Sequence, residues 1–349
     1  AEGRRWNEAL LTAAADGPAR IRVEALLGCG RFAIRRNDFG TAWDYVEQAL
    51  ALCRDEGDVY GVLRCTMALG DISRLNSQLE TAVEHYHTCL QLCLTCGSDD
   101  DLAKCHHGLG VTRFYQGDYG TAREHLGVAL RIRERLSYPL EVARTQNLLA
   151  FALREEGDSS AAERLFRAAL QVFSDHGDRW YRASTQGGLG TIAFERGDLE
   201  AARHYWEDAL ATMRDIGAQD NIADLLVLLS YLRLRTGDLS RARDTLRESL
   251  ELANRVRNRQ SIASVLLATA CLLHAERQPA PAARLLAAAS DLFEQISVRL
   301  IHLVHARVEV VREDLREILG EAEFEAAAEA GKALTPDEAI VLAQSHLAN

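Results

Sequence analysis

Apolar side chains recur along this chain at the three- and four-residue spacing of amphipathic helices, and short polar turns interrupt them at regular intervals. Two such patterns run over about residues 99–115 and 119–135, with Gly117 and Asp118 between them. Glycine allows the left-handed turn that ends the first helix. Aspartate accepts hydrogen bonds from the exposed N–H groups that begin the second helix. The pattern therefore predicts pairs of helices joined by tight turns.

The same pattern repeats every forty residues. An alanine column comprises Ala42, Ala82, Ala122, Ala162, Ala202, Ala242 and Ala282. A large-residue column, four positions later, comprises Val46, Tyr86, Leu126, Phe166, Trp206, Leu246 and Leu286. A glycine column comprises Gly30, Gly70, Gly110 and Gly190, with small residues at its other positions. A fixed period of this length is typical of a helical-repeat protein.

The columns predict how the helices pack. Two antiparallel helices approach closely only where a side chain is small, so the alanine column marks the contact within each pair. The large-residue column is expected to fill the space between neighbouring repeats. A leucine at Ala122 should overpack the helix pair at a cost of about 1–3 kcal/mol.

The third repeat resembles the tetratricopeptide repeat (TPR). Its matching residues are Leu109, Gly110, Gly117, Asp118, Tyr119, Ala122, Leu126 and Ala129. The departure is the missing proline after the second helix, which runs on and lengthens the usual period of about thirty-four residues. The resemblance implies an all-α, right-handed superhelical α-solenoid of about seven 40-residue TPR-like helix pairs, with N- and C-terminal capping helices.

The predicted domain organisation has three parts. Residues 1–16 form an N-terminal capping helix, residues 17–302 the solenoid, and residues 303–349 the C-terminal capping helices. The repeats span about residues 23–62, 63–102, 103–142, 143–182, 183–222, 223–262 and 263–302. The first, second and seventh repeats are the most degenerate, since Ser77-Gln78 and Gln278-Pro279 replace the Gly-Asp turn. Thr335-Pro336-Asp337-Glu338 forms a capping box and predicts a last helix over about 335–347.

The two ends of the chain carry a second resemblance. The opening Ala-Glu-Gly-Arg-Arg-Trp and the closing Leu319-Gly320-Glu321, Phe324, Gly331-Lys332-Ala333-Leu334-Thr335 and Glu338-Ala339 are similar to the C-terminal region of bacterial STAND regulators (signal-transduction ATPases with numerous domains). LuxR-type and antibiotic-regulator-type transcription factors are among their relatives. The resemblance implies a sensor region whose ATPase domain belongs to the same parent protein and lies outside this sequence, because no phosphate-binding loop is present.

Composition narrows the classes of partner. The chain of 349 residues has a formal net charge of −11, and no lysine/arginine block interrupts it. Nucleic acids require a basic face, so direct binding to them is not expected. No apolar run is long enough to span a membrane, and no secretion signal is present. Eight cysteines without a secretion signal favour the reducing cytoplasm.

The cysteines and histidines offer the only candidate chemistry. Cys89, Cys93 and Cys96 have the spacing of an iron–sulfur triad, and zinc is a second possibility. Against this, Cys53 and Cys65 precede Cys93 and Cys105 by forty residues, as buried core positions would. We interpret them as free thiols. The Glu84/His87 pair and the His302/His305/Glu309 triplet are isolated, and no catalytic motif accompanies them. No enzyme activity, cofactor or metal is expected.

The remaining candidate is the inner surface of the solenoid. In the resembling family the first helix of each repeat lines this concave groove. The projected ligand- or peptide-binding residues are Arg64, Arg74, Lys104, His107, Phe114, Arg144, Asn147, Phe151, Arg154 and Phe194. This stripe is expected to be locally cationic, with Asp71 its one acidic member, and to suit a carboxylate, a peptide, a protein segment or a small effector. The alternatives are that these arginines are merely solvated, or that the chain is a passive adaptor for oligomerisation or bridging.

Overall fold

The computed structural model describes residues 17–296 and 302–348, together with Ala9 and Thr12. Every regular element in this part of the chain is an α-helix. The first helices of the seven repeats are α1 (Ala19–Ile34), α3 (Val59–Leu75), α5 (Asp99–Tyr115), α7 (Pro139–Glu155), α9 (Arg179–Glu195), α11 (Gln219–Thr236) and α13 (Arg259–Ala275). Their partners are α2 (Phe39–Asp55), α4 (Leu79–Cys96), α6 (Tyr119–Arg135), α8 (Ser159–Asp175), α10 (Leu199–Ile216), α12 (Leu239–Val256) and α14 (Pro279–Gln295).

Three more helices follow the repeats, namely α15 (His302–Leu319), α16 (Glu321–Lys332) and α17 (Pro336–Leu347). The predicted all-α helical-repeat architecture is confirmed, and α5, α6 and α17 begin and end within a residue of their predicted bounds. The N-terminal capping helix predicted for residues 1–16 lies outside the described residues except for Ala9 and Thr12. The handedness of the superhelix and the domain boundaries stay predictions. No helix in the described ranges is both long and apolar enough to cross a membrane.

The turns within the repeats follow the predicted chemistry. Gly117 has a φ of 74°, in the left-handed region. The Asp118 carboxylate then accepts a hydrogen bond from the backbone N–H of Thr121 at 3.2 Å. The degenerate repeats make the same turn without glycine, since Ser77 and Arg277 have φ values of 59° and 60°. The turn geometry is therefore imposed by the repeat as a whole and not by the glycine alone.

The alanine and large-residue columns are both buried. All seven alanines of the column have 0% exposure, and all seven large residues have 2% or less. The Tyr86 ring lies between Gly70 of its own repeat and Gly108 of the next, where an added Cβ would come within 3.1 Å and 2.4 Å of the ring. Phe166 lies against Gly188 of the following repeat in the same way. The Tyr86 side chain, from a second helix, thus separates two successive first helices, as predicted for the large-residue column.

The chain divides into two compact parts, Ala1–Ala152 and Leu153–Asn349. In the C-terminal part, α16 packs against α14, and α17 packs against α12, α13 and α14. The end of α17 is held by arginines of α12, because Arg243 Nη1 donates to the carbonyl of His346 at 2.7 Å and Arg247 Nε to that of Leu347 at 2.9 Å. These cations satisfy carbonyls that a helix end leaves without partners.

Gly331 of α16 provides a test of this terminal packing. A Cβ there would lie 2.2 Å from the backbone oxygen of Arg284 on α14, and backbone cannot rotate away. We expect Gly331→Ala to lower the free energy of unfolding by at least about 1–3 kcal/mol. The matched control is Gly187→Ala on α9, where the added methyl meets only Leu225 at 3.7 Å. The control should raise stability slightly through helix propensity. Equal effects in urea unfolding would contradict the close α14–α16 contact.

The left-handed turn residues provide a second test. Arg277 is exposed and has a φ of 60°, a conformation that costs a non-glycine residue about 1–2 kcal/mol. We expect Arg277→Gly to raise the melting temperature. At Gly237, which has a φ of 79° and open space around its Cα, Gly237→Ala should lower the melting temperature. Differential scanning calorimetry measures both, and shifts of the same sign would contradict the strain argument.

Candidate functional site

The ten predicted site residues lie on the first helices of repeats two to five, but they fall into both compact parts. The N-terminal part holds eight of them: Arg64, Arg74, Lys104, His107, Phe114, Arg144, Asn147 and Phe151. The C-terminal part holds Arg154 and Phe194. We describe the two groups separately.

The five cations of the predicted stripe are all paired with carboxylates. Lys104 lies 2.6 Å from Asp100, Arg74 lies 3.3 Å from Asp71 and Arg144 lies 2.7 Å from Glu141. The other two pairs are Arg64 with Glu24 and Arg154 with Glu155. The expected cationic stripe is thus wrong as a charge balance. Three of the acidic partners lie one turn away on the same helix, Glu155 directly follows Arg154, and Glu24 lies on a neighbouring helix. Only Asp71 is itself a stripe position, so the charges of the stripe residues alone did not include the other four.

The two predicted residues of the C-terminal part are buried. Arg154 and its partner Glu155 have side-chain exposures of 6% and 2%. Phe194 is 7% exposed, packs against Trp206 and has the Arg235 guanidinium 5.1 Å above its ring. The Phe194 ring is therefore not exposed to a ligand. We confine the candidate site to the N-terminal part.

Arg133 is the residue at this site that the sequence analysis missed. It lies on α6, a second helix, and is 4% exposed. Its Nη1 donates to Thr145 Oγ1 at 2.5 Å and to the Glu141 carbonyl at 3.3 Å, and lies 3.1 Å from His107 Nδ1. Its Nη2 lies 3.3 Å from the Glu141 carboxylate. The other members of its forty-residue column are Cys53, Cys93, Phe173, Met213, Ala253 and Phe293. A charged residue in an otherwise uncharged core column was the available signal.

His107 lies at the centre of an arginine cluster. Its pKa is lowered to about 3, first by burial and then by the charges of Arg133, Arg74 and Arg144. These three arginines come from α6, α3 and α7, so side chains of three successive repeats face one imidazole. We call Arg74, His107, Arg133 and Arg144 the His107 cluster. At neutral pH its histidine is uncharged.

Two carboxylates hold the arginines of the His107 cluster in place. Asp71 accepts from Tyr86 Oη at 2.7 Å as well as from Arg74. Glu141 places one oxygen 2.7 Å from Arg144 and the other 3.3 Å from Arg133. The three guanidinium groups of the His107 cluster thus share these two carboxylates.

The other predicted residues of the N-terminal part differ in exposure. Asn147 is 4% exposed and so belongs to the core. Phe114 and Phe151 are half-buried, and their ring centroids lie 6.5 Å apart in an edge-to-face arrangement. Tyr119 contacts Phe114 at 5.4 Å. These rings form an aromatic patch on α5, α6 and α7.

The cysteines occupy the core columns predicted for them. Cys53, Cys65, Cys89 and Cys105 have exposures of 0–1%, and all eight are free thiols. Cys93 Sγ lies 3.8 Å from Cys105 Sγ. Burial raises the pKa of Cys93 to about 12 and so keeps its thiol protonated. Among the described residues no group of three or more His, Cys, Asp or Glu side chains has an arrangement that would hold a metal ion.

Comparison with known families agrees with this geometry. Residues 62–135 and 141–215 match the family "Tetratricopeptide repeat". These two stretches of the chain therefore consist of tetratricopeptide repeats. None of the curated proteins matches its sequence.

Solved structures share the fold of this TPR array. The Rap conjugation gene regulator of plasmid pLS20, in complex with the Phr* peptide, is 16% identical over 85% of this chain and 97% of its own, with a TM-score of 0.57. The apo quorum sensor NprR from B. thuringiensis is 13% identical over 87% and 91%, with a TM-score of 0.60. BtubC from P. vanneervenii is 19% identical over 64% and 92%, with a TM-score of 0.51. At these identities the likeness establishes the fold.

The lowered pKa of His107 predicts a loss of stability in acid. The unfolded histidine takes up a proton below about pH 6.5, whereas the folded imidazole stays neutral down to about pH 3, so acid favours the unfolded chain. Between pH 7 and pH 5 we expect the free energy of unfolding to fall by about 2 kcal/mol more in the wild-type protein than in His107→Gln. Urea unfolding followed by circular dichroism measures the difference. An equal fall in both proteins would show that folded His107 titrates normally.

Proposed function

We propose that this TPR array is the sensor and scaffold region of a bacterial STAND-type regulator, and that it binds a protein segment or peptide at the first-helix surface of its N-terminal part. The ligand would bind at the His107 cluster. Binding would change how the array packs against the ATPase domain of the parent protein, which supplies the energy and the output.

The grouping of three arginines around one uncharged histidine is the observation that carries this proposal. Arg74, Arg133 and Arg144 come from three successive repeats, so several guanidinium donors lie together on a chain whose net charge is −11. Guanidinium groups bind carboxylates through paired hydrogen bonds. Phe114 and Phe151 of the aromatic patch lie on α5 and α7, which also carry His107 and Arg144. The patch offers apolar contact area to the rest of a peptide.

Two further observations support a regulatory role. The fold is similar to that of the Rap conjugation gene regulator, whose structure contains the Phr* peptide, and of the quorum sensor NprR. The resemblance of the two chain ends to STAND regulators favours an ATPase partner in the same protein. We propose no catalytic step for this chain.

Affinity selection with synthetic peptides tests the site. The protein is incubated with a pool of random heptapeptides that have free carboxyl termini, and retained peptides are identified by mass spectrometry. We expect the double variant Arg74→Ala/Arg144→Ala to bind the selected peptides at least about tenfold more weakly in surface plasmon resonance, because two charge-assisted contacts are lost. The matched control is Arg135→Ala, which removes an exposed arginine of α6 paired with Asp99.

Two results would contradict the proposal. Undiminished binding by the double variant would place the peptide elsewhere. Failure to retain any peptide, together with a stable homo-oligomer in size-exclusion chromatography with light scattering, would favour the passive adaptor.

A further inference from the structure

Helix α15, the first helix after the repeats, buries one row of apolar side chains and exposes two others. The buried row recurs at helical spacing, is 8% exposed or less, and consists of Val304, Val308, Val311 and Leu315. Through it α15 packs against α13 and α14. Val310 and Ile318 of the same helix are 50% and 60% exposed. Terminal helices of a repeat array need a polar outer face for solubility, so two exposed β-branched residues indicate a covered surface.

Acidic residues alone lie between these two apolar side chains. We call Val310, Glu313, Asp314, Glu317 and Ile318 the α15 strip. Its members are three or four residues apart, so they share one side of the helix. Val310 and Ile318 are separated by eight residues, or about 12 Å along the helix axis. The strip is therefore long enough to contact about two turns of another helix.

The acids of the α15 strip lack the arginine partners that other acids of this chain have. Glu313 and Glu317 are exposed and make no ion pair with any described residue. Arg312 and Arg316, on another side of α15, are instead bound to Glu309 at 2.7 Å and to Glu325 at 3.2 Å. Asp314 lies 3.4 Å from Nε2 of a histidine on α13. The strip thus presents carboxylates to solvent with no arginine or lysine beside them to neutralise them.

The surroundings of the α15 strip are also acidic. Residues 302–348 contain ten Asp or Glu and four Arg or Lys, a net charge of −6 out of −11 for the whole chain. Arg307, the cation one turn before Val310, interacts with Cys271 on α13. A charge of this sign concentrated around the strip attracts a cationic partner.

We propose that the α15 strip is a docking surface for a cationic amphipathic helix of a partner protein. Apolar side chains of that helix would contact Val310 and Ile318, and its lysine or arginine residues would pair with Glu313 and Glu317. Lysine and arginine suit this surface because their apolar stems cover hydrophobic area while their charged ends reach carboxylates. The strip belongs to the C-terminal part, so this interaction is separate from peptide binding at the His107 cluster.

The charge of the α15 strip selects a different protein over a second copy of this chain. In a symmetric pair of strips, Glu313 and Glu317 would face the same carboxylates across the interface. Like charges brought together in this way oppose association. A cationic helix removes that repulsion and gives each exposed glutamate a partner.

Fluorescence anisotropy with a designed peptide tests the docking surface. The probe is a labelled helical peptide of leucine and lysine, about 18 residues or five turns long, with all leucines on one face. We expect it to bind saturably in about 0.02 M salt and more weakly in about 0.15 M, where ion pairs are screened. A peptide with glutamate in place of lysine should not bind. A leucine–lysine peptide of the same composition but without an apolar face should bind at least about tenfold more weakly.

Two pairs of variants locate the probe on the strip. Val310→Gln/Ile318→Gln should weaken binding at least about tenfold, because the apolar contact is lost. Its matched control is Ile216→Gln/Val341→Gln, which removes two apolar side chains that are 37% and 63% exposed elsewhere in the C-terminal part. All four side chains are exposed, so these variants are expected to fold, and circular dichroism checks them.

The charge of the strip is tested in the same way. Glu313→Gln/Glu317→Gln should weaken binding of the probe at least about tenfold and reduce its dependence on salt. Glu207→Gln/Glu251→Gln changes the net charge equally at two exposed positions on α10 and α12, and should change the affinity less than about twofold.

The proposal is overturned if the probe fails to bind, if the glutamate peptide binds equally well, or if the control variants lose as much affinity as the strip variants. It is also overturned if light scattering shows a wild-type oligomer that Val310→Gln/Ile318→Gln dissociates, because a second copy then covers the strip. Arg74→Ala/Arg144→Ala should bind the probe like the wild-type protein. A loss of binding in that variant would place the probe at the His107 cluster and contradict the docking surface on α15.

Discussion

The close approach of neighbouring first helices, with one large side chain between them, is the constraint on which the rest of this structure depends. The ring of Tyr86, on a second helix, lies against Gly70 and Gly108 of two successive first helices, and Phe166 and Trp206 lie against Gly188 and Gly190. At such contacts a single methyl group would come closer than van der Waals distance. The small and large columns must therefore keep their period, while positions away from them are free to vary.

Binding chemistry can arise at positions outside the small and large columns. Arg133 occupies a core column, and the structure accommodates it because α7 supplies three acceptors within 3.3 Å. The charge is not buried for stability, since an apolar residue would serve packing at least as well. Its position instead links the second-helix layer to His107 and, through Glu141, to Arg144. One substitution in a core column thus organises several side chains on the opposite surface.

The ion pairs around these residues change how the surface attracts a ligand. A stripe of unpaired arginines would attract any anion, including nucleic acid. Asp71 and Glu141 are each bound to an arginine, and these pairs reduce that general attraction. Such a surface favours an anionic group held by directed hydrogen bonds, in which donor geometry matters more than the long-range field.

The sequence by itself determined the helix pairs, their turns and their core. Helical periodicity, the Gly117-Asp118 turn and the alanine column are local or strictly repeated signals, so each can be interpreted without knowing what lies across the chain. It also placed His107, Arg74 and Arg144 on the same kind of helix face. Only the tertiary structure decided which charges meet. Glu24 reaches Arg64 from forty residues away, and Arg133 reaches His107 from another helix, because side-chain partners are set by distances between helices that the repeat period does not encode. For the same reason Phe194 and Arg154, which share the projected stripe, are buried, and the charge balance of the surface could not be obtained from the stripe alone.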